Sequence, residues 1–365
     1  MNPLKRLWQE EKQAVWLDFI ERDLLTGGGL ARFVADDGVR GVTSNPSIFQ
    51  KAIEGGGPYD EAVKGLLADD PGMTTVALYE ALAIEDIQNA ADILLPVWIE
   101  SHGGDGYVSL EVSPHLARDT EGTTAEARRL WQAVDRSNLM IKVPATPEGI
   151  PAIEALIGDG INVNATLMFS LADYEAVATA YLRGLEVNTN PAGVASVASF
   201  FVSRVDTKVD AALNAIGTPE ALALRGRAAI ANAKLAYRRF GELFGRDAFA
   251  SLSARGAMAQ RPLWASTSTK NLDYRDVIYV EELIGPDTVN TLPVATLEAF
   301  RDHGEPRASL FEDVAGADQV FAELAEVGVD IDAITDELQV EGVTAFAQSF
   351  DQLLGALEEA RADTE

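Results

Sequence analysis

Lys142 stands in the run LMIKVPAT among Leu, Met, Ile, Val and Ala, where a strand interior strongly disfavours an unpaired ammonium. Burial penalises the charged form, so a lysine held there keeps some neutral amine for attack on a carbonyl, which is how a Schiff-base lysine works. A buried ion pair, or a stem that carries its ammonium outward to water, accounts for the residue equally well when it is taken alone. Its company decides what it could do. An aldol reaction through an imine needs a carboxylate to move protons, a polar group to position water, amides for sugar hydroxyls and cations for any phosphate.

The chain offers each of these. Asp18 closes the apolar run AVWLDFI, and Glu111 lies within YVSLEVS. A carboxylate in either setting is costly unless it is used, caps a helix or pairs with a cation. Asn162, Asn164 and Thr166 alternate along INVNATLMF, so their side chains share one face of a strand. That face is a barrel interior or mouth, or else a solvent-facing edge. Asn45 follows Thr43 and Ser44 in GVTSNP. Arg204 follows Ser199 and its apolar neighbours, and Lys270 follows Ser266 in the segment WASTSTKN. Hydroxyls beside a cation supply the donors that a phosphate dianion requires.

These residues sit at the ends of eight short apolar or β-branched runs that alternate with longer amphipathic stretches, the pattern of βα units on a parallel sheet. The runs begin at Ala14, Gly41, Tyr107, Leu139, Ile161, Val194, Pro262 and Thr288. Eight is the number a closed barrel needs, and in such barrels chemistry collects at the carboxyl ends of the strands. The expected fold is therefore α/β, a (β/α)8 TIM barrel forming one domain over residues 1–365. A helical hairpin is expected as an insertion at about residues 217–260, rich in Ala, Leu and Arg, and a C-terminal helical appendage at about residues 305–365. The loops after the sixth and seventh strands commonly bind phosphate in such barrels, which is where Arg204 and Lys270 fall. The glycine triplets at 27–29 and 55–57 fit no phosphate-loop pattern and read as loop or helix-start glycines.

Composition narrows the classes further. With 29 Lys and Arg against 57 Asp and Glu, the formal charge of -28 repels nucleic acid and anionic lipid, so any phosphate site must be built locally. The absence of cysteine excludes disulfides, thiolate catalysis and Cys-ligated metals, and the three histidines, His102, His115 and His303, have no metal-binding spacing. No metal site built on these residue types is expected. No apolar run is long enough to span a bilayer and the N-terminal residues lack the apolar stretch of a secretion signal, so a cytoplasmic address is expected. No obligate protein partner is evident.

Four ordered motifs, TSNPSIF at residues 43–49, IKVPAT at 141–146, GINVNATLMFS at 160–170 and SFFVSRVD at 199–206, carry a likeness: the chain resembles the transaldolases, relatives of the Schiff-base aldolases. The likeness covers about residues 16–294. It implies an α/β barrel with the reactive lysine on the fourth strand, and Lys142 lies on the fourth run. By the same likeness Asp18 would move the proton at the substrate's C4 hydroxyl, and Glu111 with Thr166 would hold the water of imine chemistry. Asn45 and Asn164 would grip dihydroxyacetone hydroxyls, while Ser199, Arg204 and Lys270 would bind phosphate, and Ser266 is a further substrate-binding candidate. The implied reaction transfers a dihydroxyacetone unit from sedoheptulose 7-phosphate to glyceraldehyde 3-phosphate, giving erythrose 4-phosphate and fructose 6-phosphate in the pentose phosphate pathway, and it needs no metal and no organic cofactor. Many relatives have arginine after a shorter turn where this chain has Lys270, a point charge without the bidentate fork. Two alternatives share parts of the pattern. A lyase acting on fructose 6-phosphate or a related sugar phosphate would keep the lysine and release its donor; a non-catalytic sugar-phosphate-binding barrel would keep the cations without needing Lys142 beside two acids.

Overall fold

The computed structural model describes residues 2–362. Eight parallel strands close into a barrel in chain order: β1 (Gln13–Leu17), β2 (Gly41–Val42), β3 (Tyr107–Glu111), β4 (Leu139–Pro144), β5 (Val163–Met168), β6 (Ser196–Phe201), β7 (Arg261–Ala265) and β8 (Thr288–Leu292). Each coincides with one of the eight runs, and helices surround the barrel as the βα reading requires. β2 is shorter than its run. Pro46, lacking an N–H, starts the helix Pro46–Glu54, and the Asn45 side chain caps it, so the chain leaves the sheet at Thr43.

Register places the chemistry. Glu111 of β3 lies opposite Lys142 of β4, and Lys142 lies opposite Asn164 of β5. Opposed residues on neighbouring strands point the same way about 4.8 Å apart, so these three side chains enter the barrel side by side. Beyond Ala165 the β5–β6 register shifts, and Leu167 takes a left-handed φ of 59°. At the opposite end of the barrel, buried Asp105 accepts from Trp16 Nε1 (2.9 Å), Arg40 Nε (3.0 Å) and Arg261 Nη2 (3.0 Å). This network joins β1, β7 and two loops, away from the strand ends that carry the site.

The helical insertion at residues 217–260 takes the form of one long helix, Ala228–Phe244, between the short turns Pro219–Leu222 and Ala250–Ser253. No second long helix lies within these residues; Ala228–Phe244 packs on Ser203–Ile216, which starts earlier, directly after β6. Asp206, in the first turn of that earlier helix, accepts from Ala229 N (2.7 Å) and Tyr279 Oη (2.8 Å) and so ties it to Ala228–Phe244 and to the short helix Ile278–Glu281 that precedes β8.

The C-terminal segment does more than an appendage would. Its last helix, Ile331–Ala362, is 32 residues and about 48 Å long, and it crosses the carboxyl ends of the strands. Gln339 Nε2 donates to the carbonyls of Ala145 (3.0 Å) and Leu167 (3.3 Å), and Ser349 and Gln352 bond Ser47 (2.7 Å) and Gln50 (2.9 Å) on the helix Pro46–Glu54. Phe346, Phe350, Leu353 and Leu357 recur at helical spacing and are buried beneath it. Gly342 allows the close approach, since a Cβ there would stand 2.9 Å from Leu167 Cδ2.

Burial pushes the Asp206 carboxyl up from 3.8 to about 6; its hydrogen bonds from Ala229 and Tyr279 oppose the shift, and nearby Asp210 adds to it. A carboxyl raised in the folded state stabilises the fold while protonated. That contribution is complete below about pH 3.9 and is lost as pH rises through 6, amounting to about 3 kcal/mol at most. Urea denaturation across this window should therefore show the parent chain losing stability relative to Asp206→Asn as pH increases; a difference that stays flat or grows the other way contradicts the assignment.

Candidate active site

Lys142 points into the barrel and is 5% exposed. Its Nζ lies 3.3 Å from Glu111 Oε2, donates to the Ser44 carbonyl at 3.1 Å and stands 5.6 Å from the centre of the Phe346 ring. The contact with Glu111 is longer than a charge-assisted hydrogen bond of about 2.7–2.9 Å, so it is an ion pair without close donor geometry. The ion pair considered as one explanation for the buried lysine is thus present, and it involves the same carboxylate that the chemistry would need.

Burial pushes the Glu111 carboxyl above the ordinary range; Lys142 pulls it back and Asp18 raises it further. Asp18 is raised for the same leading reason, with Lys142, the Thr43 hydroxyl and Arg204 each opposing. Two acids, one lysine and one arginine therefore share one electrostatic environment. Thr43 Oγ1 donates to Asp18 Oδ1 at 2.6 Å, and the Thr43 and Thr291 hydroxyls meet at 2.7 Å, which fixes the carboxylate from β1 through the loop after β2.

A pocket of about 900 Å³ opens at this end of the barrel, within the size range of small-molecule sites. Its lining includes Asp18, Asn45, Lys142, Thr166, Ser199, Arg204, Ser266 and Lys270, eight of the ten residues expected from sequence. The other two approach differently. Glu111 meets Lys142 and lines a separate, largely apolar pocket of about 220 Å³. Asn164 is fully buried and does not line the pocket; its Oδ1 accepts from Ser199 Oγ (2.7 Å) and its Nδ2 donates to Ser109 Oγ (3.0 Å). Thr166 is fully buried with its hydroxyl unpaired. Asn45 serves twice: Oδ1 accepts from Ile48 N at 3.0 Å to cap the helix, which leaves its Nδ2 for the pocket.

The cations occupy the β6–β7 side. Arg204 stands over the Phe201 ring at 5.3 Å, and no carboxylate among the described residues pairs with it. Burial draws its guanidinium below the usual value, while Asp18 and Glu341 hold it up. Ser266, at a left-handed φ of 55°, accepts from Ser203 N at 3.0 Å and shares a 3.0 Å hydroxyl contact with Ser203. Lys270 is exposed on the rim and donates to Ser268 Oγ at 2.7 Å. Among the described residues no group of three or more His, Cys, Asp or Glu is placed to hold a metal ion, and no helix is long and apolar enough to cross a membrane.

Sequence reading missed Thr43, the Ser44 carbonyl, Ser109, Lys51 and Phe346. The first two lie inside TSNPSIF, where the motif marked the segment without assigning their partners. Ser109 was visible as the residue two before Glu111 on the same strand face. Phe346 had no local signal, because only the path of the last helix brings it to the pocket.

A closed (β/α)8 barrel with a buried lysine between two carboxylates at the carboxyl ends of its strands has the form of a barrel enzyme with an amine nucleophile. The family described as Transaldolase/Fructose-6-phosphate aldolase matches residues 15–357. A protein from Thiobacillus denitrificans named Transaldolase is 52% identical over 94% of this chain and 97% of its own length. Proteins of the same name from Frankia alni and Mycolicibacterium smegmatis are 50% and 49% identical, over 98% and 94% of this chain and 96% and 93% of their own lengths. The chain belongs to the transaldolase/fructose-6-phosphate aldolase family, and transaldolase activity, a transferase reaction on sugar phosphates, is the function that follows from that membership.

Thr43→Val keeps the volume and removes the hydroxyl that holds the Asp18 carboxyl down. If Asp18 governs the acid limb of the kcat/KM pH profile, that limb should move to higher pH in the variant. An unmoved limb, or one shifted to lower pH, would count against the role of this hydrogen bond.

Proposed function

We propose that Lys142 is the nucleophile of this transferase and that Asp18 and Glu111 divide the proton and water chemistry between them. The observation that carries the reading is the buried Lys142 ammonium 3.3 Å from Glu111, in a pocket that also holds Asp18 and the unpaired cation Arg204. The neutral amine adds to the C2 carbonyl of a ketose phosphate such as sedoheptulose 7-phosphate, giving a carbinolamine that loses water to form a protonated imine. Glu111 and the free hydroxyl of Thr166 hold that water and exchange protons with it. Asp18 then takes the proton from the C4 hydroxyl. The C3–C4 bond breaks, its electron pair moves toward the imine nitrogen, and an aldose phosphate leaves while a three-carbon enamine stays on Lys142.

Addition of that enamine to glyceraldehyde 3-phosphate reverses the bond-breaking step, and hydrolysis releases fructose 6-phosphate. Asn45 Nδ2 and the Asn164–Ser199 pair are assigned to the dihydroxyacetone hydroxyls, Ser199 moving there from the phosphate role the family likeness implies because its hydroxyl is bonded to Asn164; Arg204, Ser266 and Lys270 are assigned to the phosphate, with Arg204 the main contact. Transfer requires that water not discharge the enamine early. The apolar Phe346 on the roofing helix supports that requirement, and it favours the transferase over a lyase built on the same lysine. We assign the protein to the cytoplasm, since phosphorylated sugars cross membranes poorly.

Incubation with fructose 6-phosphate followed by borohydride should leave a dihydroxyacetone-derived adduct on Lys142, detected by peptide mass spectrometry. No adduct there would falsify the nucleophile assignment. Erythrose 4-phosphate supplied as acceptor should give a seven-carbon product, whereas free dihydroxyacetone without transfer would indicate the lyase. Lys142→Met should abolish the adduct and lower turnover by several orders of magnitude while the chain remains folded. Arg204→Ala should raise KM for fructose 6-phosphate far more than it lowers kcat, and unchanged discrimination between fructose and its phosphate would remove Arg204 from the phosphate site.

A further inference from the structure

The pocket reverses the sign of the chain that surrounds it. Lys51, Lys142, Arg204 and Lys270 line it against Asp18 and Glu21, in a protein with a formal charge of -28. Most of the other cations are held by carboxylates; Lys51 is exposed, and no acid among the described residues pairs with it. Its placement follows from the fold. Ser47, Ile48 and Lys51 form the face of the helix Pro46–Glu54 turned to the pocket, while Pro46, Phe49 and Ile53 pack inward. That helix follows β2, and Arg204 follows β6. In a closed barrel of eight strands in chain order these positions lie four strands apart, on opposite sides of the mouth.

We infer that Lys51 is a phosphate-recognition residue on the rim opposite Arg204, which draws phosphorylated sugars into a mouth that the acidic surface would otherwise keep anions from approaching. The inference deepens the proposed function and rests on it. An exposed ammonium facing a low-dielectric cleft acts on the approach of a charged substrate, and salt screens it within about 8 Å at physiological ionic strength. Once the phosphate reaches the buried Arg204 side, the contribution of Lys51 is small. Its signature therefore belongs in kcat/KM at low salt.

Lys51→Gln and Lys51→Glu should lower kcat/KM for fructose 6-phosphate by about threefold to tenfold, the charge reversal more than the neutralisation, with the loss shrinking as salt rises. Lys64→Glu is the control. It makes the same change in net charge on the neighbouring helix Pro58–Asp69, where Lys64 is bridged to Glu61 at 3.2 Å, and it should leave kcat/KM as it was. Equal losses in the Lys51 and Lys64 reversals, a loss that salt does not touch, or no loss at all would overturn the assignment. Borohydride trapping of dihydroxyacetone itself, which carries no phosphate, separates the two levels. If the parent chain forms no adduct with it, the Lys142 reading fails and this one with it. If the adduct forms in the parent chain but is lost in Lys51→Gln, Lys51 acts on the fold or the imine rather than on phosphate, and the inference fails alone.

Discussion

An ammonium kept out of water in the mouth of a barrel is the constraint to which the rest of this structure answers. The desolvation cost of Lys142 is offset in part by Glu111 at 3.3 Å and by the Ser44 carbonyl at 3.1 Å, and Glu111 carries its own cost of burial. Such a pair adds little to stability compared with an apolar pair of the same shape. It holds an amine and a carboxyl in contact, and the ammonium pulls the Glu111 carboxyl back down against the effect of burial. Asp18 is bound into the same environment, fixed by Thr43 and influenced by both Lys142 and Arg204. A change at Lys142 is therefore felt by both carboxyls, and a change at Arg204 by Asp18.

The surrounding polar groups mostly do two things at once. Asn45 caps a helix with one end of its amide and offers the other to the pocket. Asn164 bonds Ser109 through Nδ2 and Ser199 through Oδ1, so it holds the Ser199 hydroxyl that lines the pocket. Asp206 ties the helices Ser203–Ile216 and Ala228–Phe244 together two residues from Arg204, so the Arg204 side of the pocket is supported by a buried carboxyl that does not line it. Above them the last helix lays Phe346 over the lysine and bonds the ends of β4 and β5 through Gln339. The site is thus closed by the part of the chain farthest along the sequence from the strands that form it.

Much of the fold was legible in the residues. Strand runs of β-branched and apolar residues ending in polar ones, eight in number, are a local signal, and each run became a strand. Eight of the ten expected site residues line one pocket for the same reason, since a residue at the carboxyl end of a barrel strand is delivered to a common mouth. The boundaries of β2 were less legible, because GVTSNP reads as an extended run until Pro46 and the Asn45 cap are recognised as a helix start. The last helix was legible as a helix and illegible as a roof. A stripe such as Phe346, Phe350, Leu353 and Leu357 says that one face must be covered and does not say by what.

The order of polar and apolar residues along the chain determined a parallel barrel, the types of group available at its mouth, and a surface too acidic to gather anions without local cations. Only the tertiary structure decided that Glu111 stands directly across from Lys142, that Asn164 works through Ser199, and that Phe346 and Lys51 belong to the same pocket. Periodicity is a property of neighbours in the chain. Register, closure and the path of a distant helix depend on how separate elements pack, and that is settled by the free energy of the whole fold rather than by any segment of it.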